Sequence, residues 1–367
     1  MLSYEFRIMS SLLMSALRYL IFACLFKNHY ARLNSGNIAM SSSSRFPTVL
    51  DAMEVVMLSN LVYGMKNCEP NDLPPEFPSY LRCEFYEEKS NDGTQVAVVR
   101  SDEKKYVAVV YAGTDSAIDV LYDTDLEAVR FGPKHDYLVE NKHVKVYGGF
   151  NEQVFGDGLY ARLLALVSDM ILNQYPSYRL IVTGHSLGGA NSILTSVAFA
   201  IALSPYNHVF VENISVASPR TGTEAFRKYA NSLENLSIWR LVLKNDIVPR
   251  LPPSMYFWKH PGHTIQMNTN KILCYYLHYG DKVLEYAGVP FPWNDVPFLD
   301  PITGSLHHLI KAYIDYIQTR NQTINNETSF VISFVSTKDQ LLGVQYDEWS
   351  YYNSEDESHN IELTINE

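Results

Sequence analysis

Three residue types in this sequence could do chemistry together: a serine in a tight turn, an aspartate after a strand, and histidines near the end of the chain. The stretch Arg179 to Leu203 reads as a strand (Leu180, Ile181, Val182, Thr183), a sharp turn, then an apolar, small-residue helix from Gly189 onward. The turn is Gly184-His185-Ser186-Leu187-Gly188, a G-x-S-x-G pattern in strand–turn–helix context. Such a turn projects the serine hydroxyl above the sheet edge at a strained backbone angle, and the glycines let strand and helix pass closely. Ser186 also stands at a helix N-terminus, where unpaired N–H groups favour developing negative charge. A bare match to this pattern arises by chance, but the strand before it and the Ala/Ser-rich helix after it argue for a nucleophile. A serine needs a base, and the base an orienting acid. Asp246, in Lys244-Asn245-Asp246-Ile247-Val248-Pro249-Arg250, follows a predicted strand and so shares the carboxyl end of the sheet with Ser186. By position alone, capping a turn is as good a role for it as catalysis.

These residues need a scaffold, and the pattern supplies one. Thr48 to Tyr63 repeats apolar residues at helical spacing (Val49, Met53, Val56, Met57, Leu61), and Asn67 to Pro78 is a proline-rich connector. Strands are predicted over Gln95–Arg100, Tyr106–Tyr111 and His143–Tyr147. Between the last two, Ile118, Leu121, Tyr122, Leu126 and Val129 recur at helical spacing. A long helix is predicted over Asn151–Gln174, ended by Pro176. Beyond the serine helix come a strand (Val209–Ala217), a helix (Thr223–Tyr229), a strand (Ile238–Leu243), a proline-rich loop (Val248–Pro253) and a last helix (His308–Gln318). Strands alternating with helices mean an α/β fold with a mostly parallel central sheet and helices on both faces.

The chain has 367 residues and a net charge of -11, which argues against a nucleic-acid binder. The segment Asp339 to Glu367 carries eight acids and no Lys or Arg, and so accounts for most of that charge. A β-like patch (Phe330–Val335) precedes it, and the remainder reads as a flexible, solvated extension. Three regions are expected: an apolar segment and Ser-rich linker over 1–44, a catalytic domain over 45–320, and an acidic extension over 321–367. Within the first, Ile8 to Phe26 is long and apolar enough to span a bilayer, although Arg18 lies in its middle. Signal peptide, anchor and surface helix are all compatible with it, giving a membrane-associated or secretory protein; translation starting at Met40 would leave a cytoplasmic one. Four N-x-S/T sequons (Asn213, Asn235, Asn321, Asn326) suit secretion, but an Asn-rich chain also makes a few by chance. Among four cysteines, Cys68 and Cys83 are close enough to pair in an oxidising compartment, or they are two free thiols.

GHSLGG, Ser218-Pro219-Arg220-Thr221-Gly222 and the run from Asn245 to Pro253 together resemble the class 3 lipases, the group of the filamentous-fungal triacylglycerol lipases and their plant relatives. Upstream, Tyr111-Ala112-Gly113-Thr114 resembles that family's oxyanion strand end, and Val146-Tyr147-Gly148-Gly149-Phe150 its H-x-G-F strand. The likeness covers roughly Arg45 to Gln318, and its five motifs stand in the family's order. It implies an α/β-hydrolase fold, Ser186 as nucleophile and Asp246 as triad acid. The family places the base at the start of the last helix, where His307 and His308 stand side by side. His308 fits better, because it sets Ile310, Tyr313 and Ile314 at the family's apolar, tyrosine and aliphatic offsets. Thr114 and Leu187 match the oxyanion donors. His185 is expected to be buried and structural, and His260 and His263 are more simply loop histidines than catalytic ones. The region from Asp115 to Val129 corresponds to the lid but lacks the tryptophan of fungal relatives.

The resemblance therefore implies a serine ester hydrolase of the lipase type. It would act on lipid esters at a membrane or droplet surface, with no metal or organic cofactor. A phospholipase A1 or an acyltransferase would use the same triad. A catalytically silent signalling scaffold is the alternative from another class, and such proteins commonly lose a triad or oxyanion residue, which this sequence does not.

Overall fold

The run of buried apolar residues before the serine becomes a central strand, and the sheet grows outward from it on both sides. In the computed structural model, the residues described are 47, 49–114, 127–243, 246–252, 258–267, 272–275, 308–324, 329–334, 349–352 and 359–364. The chain enters with helix α1 (Val49–Gly64), then β1 (Leu81–Glu88), β2 (Gln95–Ser101) and β3 (Tyr106–Tyr111). After β4 (Ala128–Arg130) and β5 (Lys145–Tyr147) come α2 (Gly148–Phe155) and α3 (Leu159–Asp169). Strand β6 (Arg179–His185), which ends at the turn bearing Ser186, leads into α4 (Leu187–Ala202) and β7 (Val211–Val216). Then follow β8 (Gly222–Thr223), α5 (Glu224–Asn231), β9 (Leu236–Leu243), β10 (Trp258–Lys259), β11 (His263–Met267), β12 (Ile272–Tyr275) and α6 (Ile310–Ile324). The chain closes with β13 (Ser329–Phe334), β14 (Trp349–Tyr352) and β15 (His359–Thr364).

Eleven of these strands form one sheet in the order β1-β2-β3-β6-β7-β9-β11-β12-β13-β15-β14. Its middle five, β3, β6, β7, β9 and β11, run parallel, while β1 and β2 add antiparallel at one side. This is the α/β-hydrolase architecture. A parallel strand is covered on both faces, and β3 is accordingly buried at all six positions. The second, four-stranded sheet (β10-β8-β5-β4) is antiparallel. Helix α4 is buried from Leu187 through Ala200 because its surface is apolar or small on every side. Its hydroxyls are satisfied locally, Ser192 donating to the Gly189 carbonyl at 2.8 Å and Ser196 to the Ser192 carbonyl at 2.6 Å. Helix α1 lies against β6, β7 and helix α6.

Several expectations are corrected. The helix expected over Asn151–Gln174 is broken at Gly156–Gly158, where Asp157 and Gly158 take left-handed angles (φ 54° and 70°). Two glycines astride an aspartate favour that break over a continuous helix. Val129 belongs to β4 rather than to a helical stripe; the other residues of that stripe, Ile118 to Leu126, lie outside the described residues, as do His307 and residues 1–44. Strand β1 was not expected, since its sequence LRCEFYEE is an edge strand's mixture of charged and apolar residues. The tail is not merely a solvated extension: β13, β14 and β15 continue the main sheet, and HNIELT keeps a strand's alternation among the acids.

Cys68 and Cys83 form a disulfide, with a Cα–Cα distance of 5.3 Å, that closes the proline-rich connector onto β1. By chain entropy, a closure over a sequence separation of 15 residues contributes about 3 kcal/mol. Of the sequons, Asn213 is wholly buried in β7 and its side-chain amide donates to the Val182 carbonyl and the Ser192 and Ser196 hydroxyls. That sequon is a core residue. Among the described residues no helix is long and apolar enough to cross a membrane.

Candidate active site

Ser186 takes φ 58° and ψ −127°, a strained angle for a residue with a side chain, at the junction of β6 and α4. The strain is held by packing. Its N–H donates to the Val216 carbonyl at 2.9 Å, and its own carbonyl accepts from Gly189 at 2.9 Å. A Cβ on Gly184 would collide with the Gly188 carbonyl, and one on Gly188 would sit 2.5 Å from the Tyr111 carbonyl. Only glycine fits at either position, so the elbow's spacing is dictated by backbone approach.

The structure brings Ser186, His308 and Asp246 together. Ser186 Oγ lies 2.7 Å from His308 Nε2, and His308 Nδ1 lies 3.0 and 3.1 Å from the two carboxylate oxygens of Asp246. With Nδ1–H donating to the carboxylate, Nε2 is left to accept from the serine hydroxyl. Asp246 is fully buried, and its charge is compensated by three donors: His308, the Val248 N–H at 2.9 Å and the Tyr313 hydroxyl at 2.7 Å. Tyr313 in turn accepts from the Leu243 N–H at 3.0 Å, tying α6 to the end of β9. Burial, and then the charge of Asp246, raise the Tyr313 phenol well above its ordinary pKa, so it remains a donor.

The sequence-predicted oxyanion residues flank the serine. The Leu187 N–H is in the first turn of α4, where backbone donors lack an intrahelical acceptor. Thr114 follows Gly113, and a Cβ on Gly113 would stand 2.8 Å from Ser186 Cβ and 2.7 Å from the His185 carbonyl. The strand end β3 thus passes directly over the elbow. His260 is a buried loop histidine whose Nε2 meets the Pro249 carbonyl at 2.7 Å, and His263 stacks on Trp239 with ring centroids 4.6 Å apart. Neither touches Ser186. Two residues at the site carried no assigned role in the sequence: Tyr313, whose contact with Asp246 is 67 residues away along the chain, and Tyr63, in the last turn of α1. Only the family's tyrosine offset after the histidine pointed to the first; nothing local pointed to the second. Among the described residues no group of three or more His, Cys, Asp or Glu is placed to hold a metal ion.

The family model "Lipase (class 3)" matches residues 108–256, which include the elbow and the aspartate loop. A curated lipase of Rhizopus niveus is 34% identical over 171 residues, 45% of this chain and 39% of that protein. Over this region the chain is similar to the class 3 lipases. Similarity extends to a plant protein: "Phospholipase A1-II 3" of Oryza sativa subsp. japonica is 29% identical over 232 residues, 58% of this chain and 51% of that one. The chain therefore spans about half or less of the length of these curated relatives. Among solved structures, a Rhizomucor miehei lipase propeptide complex matches with a TM-score of 0.51 at 25% identity, covering 62% of this chain and 70% of that one.

Two buried histidines give the fold a pH dependence. Burial lowers the pKa of His185 well below its ordinary value, with the neighbouring His308 adding to the effect; burial does the same for His260, helped by Arg240 and Arg220. Unfolded, each takes up a proton near pH 6.5. Below that pH the unfolded chain binds more protons than the folded one, so stability is complete above about pH 6.5 and falls as the pH drops. The loss approaches about 1.4 kcal/mol per pH unit for each histidine. Urea unfolding midpoints at neutral and mildly acidic pH measure it, and His260→Gln is expected to show a shallower acid loss. A stability that is flat or rising toward acid would contradict this account.

Proposed function

We propose that this protein is a serine ester hydrolase that cleaves fatty-acyl esters of lipids. The observation that carries the reading is the unbroken hydrogen-bonded line from Ser186 Oγ through His308 to Asp246. In the proposed cycle, His308 Nε2 takes the proton of Ser186 as Oγ attacks the ester carbonyl carbon. The carbonyl's π electrons pass to its oxygen, held by the Leu187 N–H and by the Thr114 N–H and hydroxyl. Collapse of this intermediate breaks the ester bond to the leaving oxygen, which takes the proton from His308 and departs as an alcohol. Water, deprotonated by His308, then attacks acyl-Ser186 and releases a fatty acid while Ser186 regains its proton. Asp246 holds the imidazolium throughout. The cycle uses no metal and no organic cofactor.

The family supports a lipid ester presented at a membrane or droplet surface, and the Rhizopus relative, named a lipase, supports acylglycerols. The rice relative, named a phospholipase A1, favours a second reading in which the same triad removes an acyl chain from a phospholipid. The disulfide supports passage through an oxidising compartment, hence a secretory or membrane-associated site of action. The test presents emulsified triacylglycerol and phospholipid vesicles to the purified protein, beside labelling with a fluorophosphonate. Fatty-acid release with probe attached to Ser186 is expected, and the preferred head group chooses between the two readings. Absence of both turnover and labelling would overturn the hydrolase assignment in favour of a silent scaffold.

A further inference from the structure

Outside the triad, a second hydrogen-bonded line runs through the elbow. Tyr63 Oη lies 3.0 Å from the Gly113 N–H and 2.8 Å from His185 Nδ1, and His185 Nε2 lies 2.8 Å from the main-chain carbonyl of His308. Each member has one consistent part. The amide of Gly113 can only donate, and the carbonyl of His308 can only accept. A histidine facing that carbonyl with Nε2 carries its proton there, which leaves a lone pair on Nδ1 to accept from the Tyr63 hydroxyl. The opposite tautomer would point the Nε2 lone pair at the carbonyl oxygen. His185 is buried, and its ring stacks on that of His308, with centroids 4.8 Å apart and planes 24° from parallel. A charge on His185 would repel the imidazolium that His308 becomes during the cycle.

We infer that Tyr63 and His185 form a positioning relay, which fixes the strand end bearing Thr114 and the backbone of His308 relative to the same nucleophile. The inference rests on the hydrolase reading for its catalytic consequence. Gly113 immediately precedes Thr114, so the first bond of the relay sets the register of one proposed oxyanion donor. The last bond holds the backbone of the proposed base, and His185 itself is the residue before Ser186. Three parts of the site, from β3, β6 and the start of α6, therefore take their spacing from one line. That line is anchored by a helix residue 122 positions before His185. The role assigned to both is to keep the reacting atoms within the narrow geometry that attack requires.

Tyr63→Phe removes only the hydroxyl. The expected result is a fall in kcat for p-nitrophenyl butyrate on the order of tenfold, with KM unchanged. The control is Tyr160→Phe, which deletes another buried hydroxyl, one bonded to the Ala198 carbonyl and away from the site; it is expected to keep the wild-type kcat. A Tyr63→Phe loss that matches the control, or that falls in KM alone, would reduce Tyr63 to a packing residue and overturn the relay. Nitrogen-15 shifts of His185 give a readout independent of turnover. Wild-type protein is expected to show a single neutral form protonated at Nε2, and Tyr63→Phe to lose the hydrogen-bonded shift of Nδ1. A ring protonated at Nδ1, or a mixture of tautomers in the wild type, would overturn the relay whether or not the variant folds. If wild-type protein neither hydrolyses esters nor takes a fluorophosphonate on Ser186, it is the hydrolase reading that fails, and the nitrogen shifts still decide the relay.

Discussion

Replacing Ser186 by alanine is expected to lower kcat for a soluble ester on the order of a million-fold, and His308→Ala to do the same. The double variant is expected to lose no more than either single one. On the hydrolase reading, nucleophile and base work as one unit across a 2.7 Å hydrogen bond, so once either is gone the other has nothing left to do. What remains is the contribution of binding and of the oxyanion donors, roughly a thousandfold over water. The decisive comparison is His307→Ala beside His308→Ala, with kcat measured on p-nitrophenyl butyrate and folding checked by thermal melting. His307→Ala should leave kcat close to wild type. Substantial turnover in His308→Ala, or its loss in His307→Ala, would move the base to the neighbouring position.

Asp246→Asn is expected to cost about ten-thousandfold in kcat while the protein remains folded. The carboxylate accepts from His308 Nδ1, Val248 N–H and Tyr313 Oη, and it is fully buried. An asparagine keeps the shape but presents an amide, whose N–H₂ turned toward the ring favours a proton on Nε2. His308 could then no longer accept from Ser186. Tyr313→Phe removes one of the three donors and should show a smaller loss with the same sign. Turnover by Asp246→Asn within tenfold of wild type would mean that another group orients the imidazole.

What could be read from the sequence was whatever is written locally. The elbow was legible because its glycines, serine and flanking periods sit within a few residues of one another. Asp246 was legible as a position after a strand, and its role came from resemblance. The base required that resemblance too, because two adjacent histidines differ by one helical step and only a three-dimensional partner separates them. Tyr63 was illegible: a tyrosine closing an apolar helix reads as packing, and its partners Gly113 and His185 lie 50 and 122 residues away. Strand β1 was missed because an edge strand carries polar residues on purpose, which blurs the alternation that marks interior strands. The tail was misjudged for a related reason, since its acids outweighed in composition the alternation they interrupt.

The order of parts along the chain has a consequence for how the protein is made. Strands β3, β6, β7 and β9 and the elbow are all complete by Leu243, whereas His308 follows 122 residues after Ser186 and 62 after Asp246. Synthesis runs from the N-terminus, and larger chains fold progressively as they emerge. A nascent chain can therefore assemble the sheet and present Ser186 while its hydroxyl is still an ordinary alcohol. Any fragment ending before residue 308 stays inert for the same reason. On the hydrolase reading, the ability to cut lipid arrives only when helix α6 docks, and the cell that makes this protein is spared its activity until His308 has been made and placed.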